Sequence, residues 1–143
     1  MEIILKEGID KLKFGMLQKD VISIYGEPSK KIIDEEKNIL FLYNDQKWQL
    51  TFYEDEGFKL GYIICANPNL TLLSKKIIGT KIEHATSEMN HKHLKSWEVE
   101  EFDIAENHFN EDNWLILQSE FGEVAKVELG AIINDDDEFV WKF

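Results

Sequence analysis

The sequence predicts an α+β domain built from two repeated units, each a short helix followed by about four antiparallel strands. A length of 143 residues fits one domain, and a hydrophobic content of 43% with nine Phe, four Trp and four Tyr can form a core. Two short patterns also recur in the same order, which indicates an internal repeat. We expect one continuous or pseudo-symmetric sheet with the helices on one face, formed by repeats at about 9–67 and 73–134, with a C-terminal strand or tail at 138–143.

The first recurring pattern is an apolar residue and a glycine followed by a helical stripe. It occupies residues 14–26 and returns 64 residues later at 78–90. The two copies end at Gly26 and Asn90, the residue types that best tolerate the left-handed conformation that closes a helix. Both stretches therefore predict a short helix that stops at a defined residue.

The ends of the two helices carry different signals. Thr80 and Glu83 have the spacing of a capping box, in which two side chains satisfy two free backbone amides. Met16 stands at the same place in the first copy and offers no such oxygen. Pro28 follows the end of the first helix, as is common after a helix stop. We therefore expect a capping box in the second helix only.

The second recurring pattern is an aromatic residue, Asn, an acidic residue, two polar residues and Trp. It occupies residues 43–48 and, 66 residues later, 109–114. The polar residues favour a hairpin turn, because Asn and Asp bond their own backbone and tolerate unusual dihedrals. Trp48 and Trp114 are then expected to open the next strands with their rings in the core, the alternative being an exposed face on which Trp acts as a binding hot spot. The expected strands cover residues 30–34, 38–43, 48–53 and 59–66 in the first unit and 97–102, 104–109, 114–118 and 124–133 in the second.

The opening of the first unit, Phe14-Gly15, a short helix and Gly26-Glu27-Pro28, resembles that of a known superfamily, the β-lactamase-inhibitor-protein-like domains. The resemblance implies tandem helix-plus-sheet units whose concave sheet surface binds another protein. The second unit departs from the motif, because Asn90-His91-Lys92 stands in place of Gly-x-Pro. By its small size, acidity and lack of catalytic motifs, the chain also resembles bacterial toxin-immunity proteins.

The charge of the chain is strongly negative and uneven. The formal net charge is −12 and there is no arginine; residues 71–143 hold 7 Lys and 16 acidic residues, net −9, against −3 for residues 1–70. Phosphate binding depends on Lys and Arg that release counterions, so nucleic acid and anionic membranes are excluded as partners. A basic protein would instead be attracted, and its association would be accelerated.

These features lead to the hypothesis of a cytoplasmic immunity protein that inhibits a cationic, nuclease-type bacterial toxin by occluding its active site. The alternative is a small-ligand-binding or housekeeping domain of the β-lactamase-inhibitor-like fold without catalytic activity, which predicts an apolar cavity with a few polar groups. The partner-binding residues would be acidic residues of the second unit and of the C-terminal turn: Glu98, Glu100, Glu101, Asp103, Glu106, Asp135, Asp136 and Asp137.

No catalytic, metal or cofactor site is predicted. His91 and His93 flank Lys92 with no cysteine nearby, so we expect exposed loop residues rather than zinc ligands. Cys65 lies in an apolar run, and we expect a buried packing role rather than a nucleophile. The chain shows no signal-peptide pattern after Met1 and has a single cysteine, so a cytoplasmic location is expected.

Overall fold

The computed structural model describes residues 1–92 and 94–143, and thirteen strands and two helices lie within them. In chain order these elements are β1 (Ile3–Ile4), β2 (Gly8–Ile9), β3 (Leu12–Lys13), α1 (Gln18–Tyr25), β4 (Lys30–Ile33), β5 (Ile39–Tyr43), β6 (Trp48–Tyr53), β7 (Lys59–Cys65), β8 (Thr71–Leu72), β9 (Lys75–Lys76), α2 (Ile82–His91), β10 (Trp97–Glu101), β11 (Ala105–Asn110), β12 (Leu115–Glu120) and β13 (Glu123–Gly130). In the part of the chain that is described, neither helix has the length and apolar character needed to cross a membrane.

Eight of the strands form one antiparallel sheet, ordered from edge to edge β10, β11, β12, β13, β7, β6, β5 and β4. Each half of this sheet is a four-stranded meander, and the last strands of the two halves pair at the centre. There Val127 lies opposite Cys65 and Leu129 lies opposite Ile63, and all four side chains are completely buried. The two halves therefore share one hydrophobic core.

The predicted fold class is wrong. The protein is mostly β, with 43% of its residues in strands and two helices of only eight and ten residues. It is not a pair of helix-plus-sheet units with helices on one face, because small β segments also line the core: the β1–β2–β3 sheet and the β8–β9 hairpin bury Ile3, Ile9, Leu12 and Leu72. Strands of two residues are too short to show any periodicity, so the sequence pattern did not reveal them.

One face of the eight-stranded sheet is buried and the other is accessible. Side chains alternate between the two faces along each strand. On β12, for example, Leu115 and Leu117 are fully buried, whereas Ile116 and Gln118 are only half-buried. One side of the sheet is thus a filled core, and the other presents half-buried apolar side chains toward solvent.

The start of α1 is stabilised by a contact that the sequence analysis did not anticipate. The Asp20 carboxylate accepts a hydrogen bond from the Leu17 amide at 2.9 Å, which satisfies one amide near the helix N-terminus. The helix ends at Gly26, whose φ of 81° lies in the region that favours glycine, so the predicted stop is confirmed.

The start of α2 differs from the prediction. The helix begins at Ile82 after Lys81, and the Thr80 hydroxyl donates to the Ile77 carbonyl oxygen at 2.7 Å, so the predicted capping box of Thr80 with Glu83 is wrong. A threonine hydroxyl that can reach a nearby carbonyl competes with the capping role. The helix also continues through His91, beyond the expected stop one residue earlier.

The two tryptophans of the repeated pattern have different environments. Trp48 opens β6, is 3% exposed and packs against Tyr25 with 4.9 Å between ring centroids, so its predicted core role is confirmed. Trp114 precedes β12 in the left-handed conformation, and its half-buried ring lies over Gly130. Its predicted core role is wrong, because the side chains alternate along the strand: Leu115 faces the core, so Trp114 lies on the accessible face with Ile116.

The C-terminal segment folds back onto the first half of the molecule. Ile133 forms a β-bridge with Phe139, and the Phe139 ring packs on Tyr53 with 5.6 Å between centroids. The Lys142 amide donates to the Phe14 carbonyl oxygen at 3.0 Å. The end of the chain is thereby tied to the segment that leads into α1.

Candidate functional site

An open hollow of about 550 Å³ lies at one end of the second half of the sheet, where the start of α2 and two hairpin turns meet. Backbone hydrogen bonds hold these segments together, from the Phe121 amide to the Ile104 carbonyl oxygen at 2.8 Å and from the Ile82 amide to the Gly122 carbonyl oxygen at 2.9 Å. We call this cavity the hairpin hollow. Its lining residues are Ile82, Glu83, Glu101, Phe102, Asp103, Ile104, Ala105, Glu106, Ser119, Phe121 and Gly122.

Three large apolar side chains of the hairpin hollow are exposed to solvent. Phe102, Ile104 and Phe121 are 52%, 54% and 80% exposed, respectively. Turns favour Gly, Asn and Asp, so large apolar residues are unusual there. A single exposed apolar side chain needs no explanation, but three around one cavity indicate a contact surface.

The backbone of Phe121 adds a second indication. Phe121 and Gly122 are the two central residues of the β12–β13 hairpin, and both have positive φ, 51° and 80°, as a type I′ turn requires. Such a turn favours Asn or Asp at its first central position, and a residue with a bulky side chain in the left-handed conformation costs about 1–2 kcal/mol. Stability alone does not favour phenylalanine at this position.

The hairpin hollow is also acidic. Glu83, Glu101, Asp103 and Glu106 are among its lining residues, and none of the lining residues is basic. Glu101 lies directly opposite Glu106 in the β10–β11 pair, an arrangement of like charges that is destabilising. His108 Nε2 lies 3.1 Å from a Glu106 carboxylate oxygen. A cation bound in the hollow would relieve the repulsion between the carboxylates.

A second cavity of about 380 Å³, which we call the sheet groove, lies on the accessible face of the same half. The strand register places its residues side by side, because Glu98 pairs with Phe109 and Phe109 with Ile116, while Glu100 pairs with Asn107. The groove therefore crosses β10, β11 and β12. Its lining residues are Tyr62, Glu98, Val99, Glu100, Asn107, Phe109, Trp114 and Ile116.

A tyrosine–carboxylate pair borders the sheet groove. The Tyr62 hydroxyl donates to a Glu128 carboxylate oxygen at 2.5 Å. Burial raises the pKa of Tyr62, and the hydrogen bond to Glu128 raises it further. The phenol therefore keeps its proton at neutral pH, and the bond fixes the carboxylate group next to the groove.

The eight predicted partner-binding residues do not form one surface. The hairpin hollow is lined by Glu101, Asp103 and Glu106, and the sheet groove is lined by Glu98 and Glu100. The remaining three, Asp135, Asp136 and Asp137, lie in an exposed turn after β13. Among the apolar residues of the two cavities, Trp114 was considered as an alternative binding residue, whereas the exposed Ile104 and Phe121 were not. The signal that could have indicated Phe102 and Phe121 is their position in turns next to acidic residues, where large apolar residues are unexpected.

The residues considered for catalysis or metal binding are placed as follows. Cys65 is completely buried and burial raises the pKa of its thiol, so the predicted packing role is confirmed. His91 is exposed at the end of α2, and His93 lies outside the described residues. Over residues 1–92 and 94–143, no three His, Cys, Asp or Glu side chains are grouped as ligands of a metal ion.

Comparisons with known proteins show structural neighbours for this fold. No protein-family model and no curated protein matches the chain. The structure is similar to an extracellular protein containing an SCP domain from Bacillus anthracis str. Ames, with a TM-score of 0.56 and 14% identity over 99% of this chain and 55% of that one. A cysteine-rich secretory protein from Staphylococcus aureus subsp. aureus Mu50 matches with a TM-score of 0.49 and 13% identity over 81% of this chain and 42% of that one.

The likeness to the Bacillus anthracis protein shows a common fold and nothing more specific, because the identity is only 14%. The chain spans about half the length of that protein, 55%. The activity and the partners of the longer protein are therefore not carried over to this chain.

The Bacillus anthracis neighbour contradicts the resemblance drawn from the sequence. It is described as containing an SCP domain, so the assignment to β-lactamase-inhibitor-protein-like domains is wrong, and the comparison with toxin-immunity proteins is withdrawn with it. The motif from Gly15 to Pro28 describes a short helix and its stop, a local feature that is compatible with many tertiary folds.

The expected cytoplasmic location is also contradicted, since the Bacillus anthracis neighbour is described as extracellular. The single cysteine was a poor indicator of the compartment. Cys65 is completely buried in the central strand pair and has no second cysteine to pair with, so its thiol form does not depend on the redox potential of the surroundings.

Proposed function

We propose that this protein is a non-catalytic binding domain that holds a basic, partly apolar segment of a partner protein in the hairpin hollow. The observation that carries the proposal is Phe121, a side chain 80% exposed on a left-handed turn residue beside an acidic cavity. A phenylalanine in that position lowers stability and solubility in the free protein. Contact with a partner protein would bury this ring and offset that cost.

The chemistry of the hollow defines the segment that fits. Apolar side chains of the partner would cover Phe102, Ile104 and Phe121, and burying one such ring contributes about 1.5–3 kcal/mol. Lysine or arginine side chains would lie near Glu101 and Glu106, where an exposed ion pair contributes about 0.2–1 kcal/mol. Affinity would therefore come mainly from the apolar contacts, and the carboxylates would select a basic sequence and accelerate its association.

The proposal is tested by selecting binding peptides from a random display library with the purified protein. We expect the selected peptides to combine Lys or Arg with aromatic or aliphatic residues. Their affinity should fall about tenfold when Glu101→Gln, Asp103→Asn and Glu106→Gln are combined, since three weak ion pairs are lost. A matched control carries Glu54→Gln, Asp55→Asn and Glu56→Gln, the same change of charge in the turn between β6 and β7.

A second variant separates binding from folding. Phe121→Asn creates an Asn-Gly pair, which type I′ turns prefer, so we expect this variant to be as stable as the parent or more stable. It should nevertheless lose most of the peptide affinity, because the ring at the edge of the hollow is gone. The proposal is wrong if no peptide is enriched, or if enriched peptides bind Phe121→Asn and the triple carboxylate variant as tightly as the parent.

A further inference from the structure

We propose that the sheet groove is a second binding site, which takes an arginine side chain of a partner protein. The proposal does not depend on the hairpin hollow, because the two cavities use opposite faces of the same strands. On β11, Glu106 lines the hollow, while the next residue, Asn107, lines the groove together with Phe109. A ligand in one cavity is therefore separated from the other by the sheet.

Two aromatic rings form a corner in the groove. Phe109 and Trp114 are 5.2 Å apart between centroids and meet at 84°. Tyr62 supplies a third ring among the lining residues. The Trp114 ring rests on Gly130, so its position is fixed before any ligand arrives. Aromatic faces attract cations, and tryptophan does so most strongly.

The polar groups of the groove accept hydrogen bonds. Glu98 and Glu100 are exposed carboxylates on β10, the edge strand. The Asn107 side-chain oxygen is buried and, within the described residues, has no hydrogen-bond partner. A buried acceptor without a donor costs stability, and a ligand donor can satisfy this oxygen once the Asn107 side chain turns it toward the groove that it lines. Aromatic faces, carboxylates and a free carbonyl oxygen together specify a cation that carries several N–H groups.

Among protein side chains, arginine fits this combination best. Its planar guanidinium stacks on an aromatic ring while its five N–H donors point outward in the same plane. Lysine has a compact ammonium that binds as a point charge and does not stack. The chain itself does not fill the site: among the described residues, the lysine that lies over an aromatic ring is Lys59, 5.4 Å from the centroid of Trp141.

The test uses three capped tripeptides, Gly-Arg-Gly, Gly-Lys-Gly and Gly-citrulline-Gly, added to the whole isotope-labelled protein and followed by proton–nitrogen NMR. We expect the arginine peptide to shift the Trp114 indole and Asn107 side-chain amide signals in a saturable way, with a dissociation constant on the order of 1 mM. The lysine peptide should bind at least about threefold more weakly, and the uncharged citrulline peptide should produce no saturable shift.

Two variants connect the signal to the groove. Glu98→Gln with Glu100→Gln removes two exposed carboxylates and should weaken arginine binding about fivefold or more without unfolding the protein. The matched control is Glu35→Gln with Glu36→Gln in the β4–β5 turn, at the opposite edge of the sheet and roughly 30 Å away.

Each remaining outcome overturns the proposal. No saturable shift of Trp114 up to about 10 mM peptide shows that the groove is not a cation site. Equal binding of the arginine and citrulline peptides shows that charge is not recognised. Shifts confined to Phe102 and Phe121 place the binding in the hairpin hollow; that result contradicts the present inference but supports the proposed function, so failures of the two are distinguishable.

Discussion

Adding one methyl group at Gly130 is expected to destabilise the protein, although glycine is ordinarily an unfavourable residue within a strand. Gly130 is the last residue of β13 and has no positive φ, so its backbone can accommodate alanine. The obstacle is the Trp114 ring, which occupies the space that a Cβ atom at Gly130 would need. Gly130→Ala therefore forces the indole out of its position.

The magnitude follows from two opposing contributions. Replacing glycine by alanine on a compatible backbone stabilises by about 0.4–1 kcal/mol, because the unfolded chain loses conformational freedom. Inserting a carbon into an occupied space destabilises by about 1–3 kcal/mol. We expect a net decrease of about 0.5–2 kcal/mol in the free energy of unfolding when Trp114 is present. In a Trp114→Ala background, only the stabilising contribution of about 0.4–1 kcal/mol remains.

The measurement is urea unfolding of the parent, the two single variants and the double variant, followed by circular dichroism and extrapolated linearly to water. The coupling between the two sites should be about 1–3 kcal/mol. Gly61 and Tyr53 in the first half provide a parallel pair, since a Cβ at Gly61 would meet the Tyr53 ring. The reasoning is refuted if the Gly130→Ala variant is at least as stable as the parent and its coupling with Trp114→Ala is below about 0.5 kcal/mol.

Three further predictions concern stability and reactivity. Tyr43 donates to the Gly26 carbonyl oxygen at 2.8 Å, and burial raises its pKa to about 12 from 10.0. Above pH 10 the unfolded state therefore releases the Tyr43 proton before the folded state does, and the free energy of unfolding falls as pH rises through 12. Tyr43→Phe should lower the free energy of unfolding by about 0.5–1.5 kcal/mol at pH 7, because the hydrogen bond is lost. In urea titrations at several pH values, this variant should also show a smaller alkaline decline. Because Cys65 is completely buried, its rate of reaction with a chromogenic thiol reagent should be limited by the rate at which the protein opens. Rapid labelling of Cys65 in the folded protein would contradict this packing. Asn110→Ala should lower the free energy of unfolding by about 1–3 kcal/mol in the same urea assay, because the buried amide donates to the Lys95 carbonyl oxygen; an unchanged midpoint would show that this bond contributes nothing.

The strands of the large sheet could be predicted from alternation and turn residues. The strands expected at 38–43 and 48–53 are observed at Ile39–Tyr43 and Trp48–Tyr53. Alternating apolar residues and an intervening polar turn are local features, so sequence is sufficient to locate them. The helix stop at Gly26 was predicted for the same reason. The capping box at Thr80 was wrong, because the hydroxyl had a choice between two local partners that its sequence spacing does not distinguish.

The candidate sites were predicted only in part. The acidic character of the second half was evident from composition, but its distribution over two faces of the sheet was not. The register of β10 with β11 places Glu100 beside Asn107 and Glu101 beside Glu106, so neighbours in sequence contribute to different cavities. Strand register depends on how both strands pack in the folded sheet, so the local pattern of either strand does not specify it.

The sequence by itself determined where the long strands and the first helix stop lie, that Cys65 belongs to the core, and that the second half is negatively charged. Only the tertiary structure decided that the fold is mostly β, that Trp114 leaves the core, and that Phe121 stands exposed beside the carboxylates. The physical reason is the distance along the chain between the residues that decide each property. Local patterns follow from the periodicity of single elements, whereas fold class, side-chain exposure and cavities depend on which distant segments pack together.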